Sequence, residues 1–413
     1  MGRKDISERI IVQKYGGSSL SNSDKIQKIA QSIIKKKNTG DLLVIVVSAM
    51  GNSTDELVKL ANVVTGNKSS SPREMDVLLS TGELVSSALM SMVLNSNNCA
   101  AVSLNGIQAG IHTDLTHGSA RISNIKTDRI ISEIKKDKVV IIAGFQGFSE
   151  GGDITTLGRG GSDTSAVALA IALRAKRCEI YTDVEGIYTT DPRLENSARK
   201  IKEINFNEML EMASLGAKMN PRSIELASLN NMPIYVSSTF SESDGTLIHG
   251  GKNMEDINPI TGIAVEHNVS KVSVIGIEDK PGVAAGLLKP LSDQGISVDV
   301  IVQNSSVNGN TDFTFTISES DLNKATELIK TQKTVIFNKI VTGVGLSKVS
   351  LVGTGMQNSP GYAAKMFKIL SNENVNIDMI TTSEIRITVI IKSSFVEVAV
   401  KNLHKAFDLD KLN

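Results

Sequence analysis

Five runs of strand length, at residues 10–14, 42–47 (continuously apolar), 100–104, 139–143 and 178–182, alternate with segments of helical spacing through the first part of the chain. The first helix begins near Asp24, sets Ile26, Ile29, Ala30 and Ile33 on one face, and ends in Lys35-Lys36-Lys37, where cations oppose the helix dipole. A second carries Leu57, Leu60, Ala61 and Val64. A long third opens at Ser71-Pro72-Arg73-Glu74 and carries Met75, Leu78, Leu79, Val85, Leu89 and Met92. Further helices are expected at 128–136 and 164–175. Strand–helix alternation of this kind predicts a largely parallel α/β sheet sandwiched by helices. Ligands of such a sheet lie beyond the C-terminal ends of its strands.

The unusual polar residues stand where that rule places a site. Lys14-Tyr15-Gly16-Gly17-Ser18-Ser19 follows the first run, Ser48-Ala49-Met50-Gly51-Asn52-Ser53-Thr54 the second, and residues 183–193 the fifth. A glycine-dense turn, Thr155-Thr156-Leu157-Gly158-Arg159-Gly160-Gly161-Ser162-Asp163, leads into an Ala-rich helix whose free N–H groups suit an anion. Arg159 adds a planar fork for a carboxylate or phosphate, and Ser162 and Asp163 stand at expected cap positions. Each segment alone fits an ordinary solvated loop. Together they predict one anion-handling crevice.

Composition narrows the function. The 413 residues contain 44 basic and 44 acidic side chains, so no cationic excess favours nucleic acid as a partner. Cys99 and Cys178 lie in separate apolar surroundings, as reduced core thiols do. The five histidines form no cluster of metal-ligand spacing, and no resident metal is expected. We read no apolar run of the roughly 18 residues that span a bilayer and no signal core, so a cytoplasmic protein without a membrane partner is expected.

Phosphoryl transfer needs cations and N–H donors aimed at oxygens whose charge is redistributed. Lys14 with Gly16-Gly17 supplies both. A P-loop, a G-x-G-x-x-G after the first strand, and the His-Arg-Asp and Asp-Phe-Gly motifs of protein kinases are all missing. Instead, Val12-Gln13-Lys14-Tyr15-Gly16-Gly17-Ser18-Ser19 resembles the signature of aspartate kinases, members of the amino-acid kinase superfamily. The resemblance continues through Val47-Ser48-Ala49-Met50-Gly51, Thr81-Gly82-Glu83, the Gly158–Asp163 turn, and Tyr181-Thr182-Asp183-Val184-Glu185-Gly186-Ile187-Tyr188-Thr189-Thr190-Asp191-Pro192-Arg193.

The resemblance implies MgATP-dependent phosphorylation of the side-chain carboxylate of L-aspartate. That carboxylate is already ionised at neutral pH, so no strong general base is required. By resemblance, Lys14 stabilises the transferring phosphoryl group beside the Gly16 and Gly17 amides, with Lys218 also catalytic. Ser18, Ser48 and Thr54 line the substrate, Glu83 holds its ammonium group, and Arg159 clamps its α-carboxylate with Ser162 and Asp163. For Glu83 a solvated helix carboxylate is the plain alternative. The nucleotide is expected at Lys14, Tyr15, Gly16, Gly17, Thr182, Asp183, Gly186, Tyr188, Arg193 and Lys218. One departure stands at Asn220-Pro221, where family members often carry His before the proline.

The last third reads differently. Lys271-Val272-Ser273-Val274-Ile275-Gly276 is answered by Lys348-Val349-Ser350-Leu351-Val352-Gly353, Pro281-Gly282 by Pro360-Gly361, and Ile296-Ser297-Val298-Asp299 by Val375-Asn376-Ile377-Asp378. A period near 80 residues fits two copies of a small α+β unit. In the first copy, strands are expected at 272–277, 297–303, 312–317 and 335–341, and helices at 283–294 and 321–330. Each copy resembles the ferredoxin-like ACT domain, which binds amino acids where its first strand turns into its first helix. The resemblance implies an effector site at Asp279, Gly282, Val283, Ala284, Gln303 and Asn304, and at Gly361, Asn376, Ile377 and Ser383. After a helix at 395–407 the second copy lacks a last strand, whereas 261–266 is a strand with no place in the first. Either that strand completes the second sheet and interlocks the units, or the second sheet is frayed; interlocking leaves fewer exposed edges.

The chain is thus expected to hold a catalytic domain, 1–255, and a regulatory domain, 256–413, with units at about 268–343 and 346–413 plus 261–266. The function expected is a feedback-regulated aspartate kinase, inhibited by lysine, threonine or both and assembled as a homodimer or larger through its ACT units. Kinases of glutamate, N-acetylglutamate, carbamate or uridylate fit Glu83, Arg159 and the tandem repeat less well. The alternative of another class is a non-catalytic amino-acid sensor, which loss of Lys14, Arg159 or Lys218 would have favoured. No room is expected after Asn413 for a fused dehydrogenase, and an internal start at Met254 stays open.

Overall fold

A computed structural model describes residues 6–68, 71–251, 259–304, 309–356 and 360–411, so Met254 and the expected boundary near 255 lie outside the described residues. The chain divides into two compact units, Met1–Ile187 with Lys200–Met254, and Tyr188–Arg199 with Glu255–Asn413.

The strands of the first unit are β1 (Ile10–Tyr15), β2 (Leu42–Val47), β3 (Ala101–Leu104), β4 (Ile111–Thr113), β5 (Ile122–Ile125), β6 (Val139–Ala143), β7 (Gln146–Phe148), β8 (Ile154–Thr156), β9 (Arg177–Thr182), β10 (Glu203–Asn205), β11 (Ile234–Ser238) and β12 (Thr246–His249). Its helices are α1 (Ser23–Lys37), α2 (Ser53–Val64), α3 (Pro72–Ser96), α4 (Asp128–Lys135), α5 (Gly161–Ala172), α6 (Phe206–Ser214) and α7 (Pro221–Leu229). Eight strands form one sheet in the order β10-β12-β11-β9-β1-β2-β6-β3. Every pairing in it is parallel except β11 with β12. Strands β5, β4, β7 and β8 make a second, smaller sheet.

Helix α1 buries Ile26, Ile29, Ala30 and Ile33, the face that its spacing predicts, against β1 and β2. Cys99 and Cys178 are free and buried. Helix α3 departs from expectation. By length and composition it is apolar enough to cross a membrane, contrary to the reading of the sequence. Yet it buries Asp76, Ser80, Glu83, Ser86, Ser87 and Ser91 and exposes Val85, Leu89 and Met92. Small hydroxyls let α3 approach the sheet closely, and Ser80, Ser86 and Ser87 each donate to a carbonyl three residues earlier.

Helix α5 starts at Gly161, earlier than the expected 164, because Gly160 takes the left-handed conformation (φ 72°) that ends the loop. Ser162 and Asp163 therefore lie inside the first turn and do not cap it.

The second unit contains β13 (Gly262–Glu278), β14 (Ile301–Gln303), β15 (Asn310–Ser318), β16 (Lys339–Val352), β17 (Met379–Thr382) and β18 (Arg386–Lys392), with α8 (Val283–Ser292), α9 (Leu322–Thr331), α10 (Tyr362–Asn372) and α11 (Val396–Ala406). One six-stranded sheet runs β14-β15-β13-β16-β18-β17. The expected strand at 297–303 is cut to β14, although the Asp299 amide still donates to Thr316. The two ACT-like copies are interlocked. The first part of β13 pairs with the second copy, Gly262 to Val352 through Glu266 to Lys348, and its later part with residues 339–343, the start of β16, which close the first copy. Lys271 of the first copy pairs with Asp378 of the second at 2.8 Å, and the equivalent Lys348 pairs with Asp299 and, at 2.8 Å, with Glu266.

The segment Tyr188–Arg199 belongs with this unit. Ile263 donates to the Thr189 carbonyl at 2.7 Å, the Thr189 hydroxyl meets His404 Nε2 at 2.9 Å, and Leu194 packs on the core of the second copy.

Candidate active site

The parallel register of β1, β2 and β9 brings three loops out at one sheet edge, since Tyr15 stands level with Val47 and with Tyr181. Lys14, the last but one residue of β1, is mostly buried, and its Nζ lies 2.6 Å from Asp163 Oδ1 in the first turn of α5. The Gly158–Asp163 turn is thereby held against the end of β1.

Of the two glycines after Lys14, Gly17 is required by packing. A Cβ on Gly17 would come 2.7 Å from the Ala49 carbonyl, and Gly51 donates to the Gly17 carbonyl at 2.9 Å, so the first two loops touch backbone to backbone. The Gly16 Cα lies beside the Lys14 ammonium, where an added Cβ would be 3.5 Å from Nζ. The Gly16 amide is not the free donor expected, because it bonds to the Tyr181 carbonyl at 3.3 Å. Gly17 opens the short turn Gly17–Leu20, whose first amides have no acceptor within the turn. Tyr15 also departs from expectation. Its ring is buried and stacked on Tyr181 with centroids 5.0 Å apart, and burial raises its pKa further, so its side chain is core and only its backbone borders the site.

Glu83 is buried, not the solvated carboxylate of the alternative reading. Its Oε1 accepts from the Ala49 amide at 3.1 Å, and its Oε2 has no partner among the described residues. Burial pushes its carboxyl up to about 7, against the Ala49 hydrogen bond, which favours the ionised form. Gly82 makes this approach possible, since a Cβ there would lie 2.8 Å from that of Ala49. Ser48 is fixed through its backbone, its amide on the Tyr15 carbonyl and its carbonyl accepting from Ser86. Ser18 is exposed in the Gly17–Leu20 turn, and Thr54 is half-buried in the first turn of α2.

Ser162 is buried against Gly144 at the end of β6, a contact without a sequence signal beyond the glycine itself. The Arg159 side chain is exposed and has no ion-pair partner among the described residues. Beyond β9, Thr182 donates to Asp183, and Lys218 Nζ sits 2.8 and 2.7 Å from the two Asp183 oxygens. The Lys218 hydrogen bond holds the Asp183 carboxyl below its ordinary pKa. Gly186 follows in the same loop, packed where a Cβ would be 2.7 Å from Thr246 Oγ1. Tyr188 and Arg193, expected beside them, fall in the segment that belongs with the second unit, and Arg193 bonds to Asp191.

In the second unit a depression at the N-terminal end of α8 is lined by Asp279, Lys280, Pro281, Gly282, Val283, Ala284 and Gln303, which includes five of the expected effector residues. Asn304 lies at its rim on the strand end, accepting from Thr311. The second copy repeats the helix opening with Gly361 (φ 108°) before α10, and Asn376, Ile377 and Ser383 lie on the loops flanking β17.

The Lys14 ammonium and the Gly17 turn at the end of β1, beside the first turn of α5, are the parts a phosphoryl-transfer site of the amino-acid kinase class requires. The amino acid kinase family model matches residues 9–238, and an ACT domain model matches 272–332 and 349–407. An aspartate kinase of Pseudomonas fluorescens is 45% identical over 97% of this chain and 98% of its own. An aspartokinase of Corynebacterium glutamicum is 46% identical over 97% and 96%. Among solved structures, Escherichia coli aspartokinase III in complex with aspartate and ADP superposes with a TM-score of 0.79 at 26% identity, covering 96% of this chain and 99% of that one. The same enzyme with lysine and aspartate gives 0.78, at 26% identity over 97% and 100%. The chain belongs to the aspartate kinases, with ACT regulatory domains.

Proposed function

We propose that this aspartate kinase transfers the γ-phosphoryl group of MgATP to the side-chain carboxylate of L-aspartate, giving 4-phospho-L-aspartate and ADP. This is the entry to the lysine, threonine and methionine branch of amino-acid synthesis, in the cytoplasm. A carboxylate oxygen forms the new P–O bond as the bond to ADP breaks, and no proton has to move. Catalysis is then positioning and charge neutralisation. Lys14 and the Gly17 amide face the transferring group, Glu83 takes the substrate ammonium, and Arg159 takes the α-carboxylate beside Ser162. Lys218, Asp183 and Thr182 serve the nucleotide, whose Mg2+ arrives with it.

The observation that supports this reading most is the Glu83 carboxylate, buried with Oε2 unpartnered, since an ammonium ligand supplies the missing donor and charge. The E. coli relative solved with aspartate and ADP supports the substrate pair, and the same protein solved with lysine supports an amino-acid effector. We assign the effector to the depression around Asp279–Ala284 and its repeat, with lysine, threonine or both as inhibitors. Assembly as a homodimer or larger runs through the ACT-like sheet, whose outer strands expose Ile301 and Ile380.

An ADP-release assay with aspartate against glutamate tests the reaction. Aspartate is expected to be preferred by roughly 10–200-fold in kcat/KM, the scale of one methylene, and a preference for glutamate refutes the assignment. Calorimetric titration with lysine and threonine, singly and together, identifies the effector; no heat from either refutes the regulatory part.

A further inference from the structure

Asn220, which stands where family members often carry His, makes two sets of hydrogen bonds. Its Oδ1 accepts from the Arg222 and Ser223 amides at 2.9 and 3.3 Å and so caps α7. Its Nδ2 donates to the Arg159 carbonyl at 2.9 Å. The loop is packed onto this amide, because a Cβ on Gly160 would come 2.1 Å from Nδ2. Two residues on, the Arg222 guanidinium donates to the Leu157 carbonyl at 3.2 Å and the Ala120 carbonyl at 2.8 Å. The first turn of α7 therefore grips the loop on both sides of Gly158.

The Arg159 guanidinium has no side-chain partner among the described residues, so nothing at its own tip fixes where it points. Its direction is set by its backbone, and Asn220 is the side chain that bonds that backbone. We infer that Asn220 is a positioning residue for substrate recognition: by holding the Arg159 carbonyl it aims the guanidinium at the α-carboxylate of the amino-acid substrate. The inference rests on the proposed role of Arg159.

Asn220→Asp separates the two functions of the side chain. Asp caps a helix as well as Asn and suits the positive end of the dipole, so α7 is retained. The Nδ2 donor, however, becomes an oxygen facing the Arg159 carbonyl. The KM for aspartate is expected to rise about tenfold, the scale of one lost hydrogen bond plus a repulsive contact. The kcat and the KM for ATP should stay near those of the parent, and the melting temperature should fall by no more than about 2–4 °C, the scale of one hydrogen bond. In an Arg159→Ala background the same change should leave the KM for aspartate where Arg159→Ala alone puts it, a result that a general packing role would not give. An unchanged KM for aspartate in Asn220→Asp overturns the inference, as does a parallel rise in both KM values with a lowered melting temperature. Should Asn220→Asp fail to fold, Asn220→Ser, which keeps a cap but cannot reach the carbonyl, is read by the same criteria. Arg159→Lys tests the underlying reading separately. If it leaves the KM for aspartate unchanged, the role of Arg159 falls; if it raises that KM while Asn220→Asp does not, only the role of Asn220 falls.

Discussion

Lys14 Nζ and Asp163 Oδ1 stand 2.6 Å apart, joining the end of β1 to the first turn of α5. The pair fixes the ammonium in place, and it sets the glycine turn of residues 158–160 beside the same strand end. On the proposed mechanism, an incoming phosphoryl group would compete with Asp163 for that ammonium.

Replacing Lys14 by Ala is expected to lower kcat by about 10²–10³, the loss typical of one charge-stabilising donor. The single variant also leaves Asp163 without its counter-charge. The double variant Lys14→Ala/Asp163→Ala should therefore regain thermal stability without regaining turnover. Steady-state kinetics with melting curves for both check this, and near-normal turnover in Lys14→Ala removes the residue from the mechanism.

Glu83 gives a pH dependence. With its carboxyl near 7 in the free protein, kcat/KM for aspartate should fall as the pH drops below about 7, where the carboxylate is protonated and cannot pair with an ammonium group. Glu83→Gln should raise the KM for aspartate and flatten that limb of the profile. Stability moves the other way. A carboxyl raised in the folded state contributes stability below its unfolded pKa of 4.5, and that contribution is lost as the pH rises through about 7. Without aspartate at pH 8, Glu83→Gln should be more stable than the parent, by roughly 3 kcal/mol at most. Urea unfolding at pH 5.5 and pH 8 measures the difference, and equal stability at pH 8 contradicts it.

Lys218 and Asp183 are about half exposed, so their pair adds little to stability. Lys218→Ala should leave the melting temperature almost unchanged while raising the KM for ATP about tenfold, as expected for one lost charge-assisted contact. The KM for aspartate should hold. A rise confined to aspartate would move Lys218 to the other substrate.

In the regulatory unit the two reciprocal ion pairs are unequal. Lys348 is 4% exposed between Glu266 and Asp299, whereas Lys271 is 21% exposed and pairs with Asp378 alone among the described residues. Lys348→Ala leaves the carboxylates of Glu266 and Asp299 without their shared cation and should cost about 1–3 kcal/mol, discounted for their partial exposure. Lys271→Ala should cost under about 1 kcal/mol. Denaturant titration of both variants ranks them, and the reverse order would show that the second copy does not depend on its buried cation.

Several errors of the sequence reading have local physical causes. The strand β13 reads as two because Glu266-His267-Asn268 is polar. The structure keeps one strand of 17 residues with irregular pairing there, and Asn268 takes a positive φ of 59°. The start of α5 was misplaced because Ser162 and Asp163 are good caps, yet a left-handed Gly160 had already turned the chain. Helix α3 leaves Val85, Leu89 and Met92 exposed while Asp76, Glu83 and several serines pack inward beside Met90 and Leu94, so its apolar residues do not mark its buried face.

The sequence by itself determined the alternation of strands and helices, the repeat, and the residue types that can handle phosphate and carboxylate. Those follow from periodicity and side-chain chemistry, which act over a few residues. Only the tertiary structure decided that Lys14 meets Asp163, that Glu83 is desolvated with one oxygen unpaired among the described residues, that the start of β13 completes the second regulatory copy, and that each copy takes a counter-charge from the other. It also decided that Tyr188–Arg199 packs with the second unit and that Asn220 holds the Arg159 loop. Those depend on strand register and on which groups lose water together, and neither is encoded within any single stretch of chain.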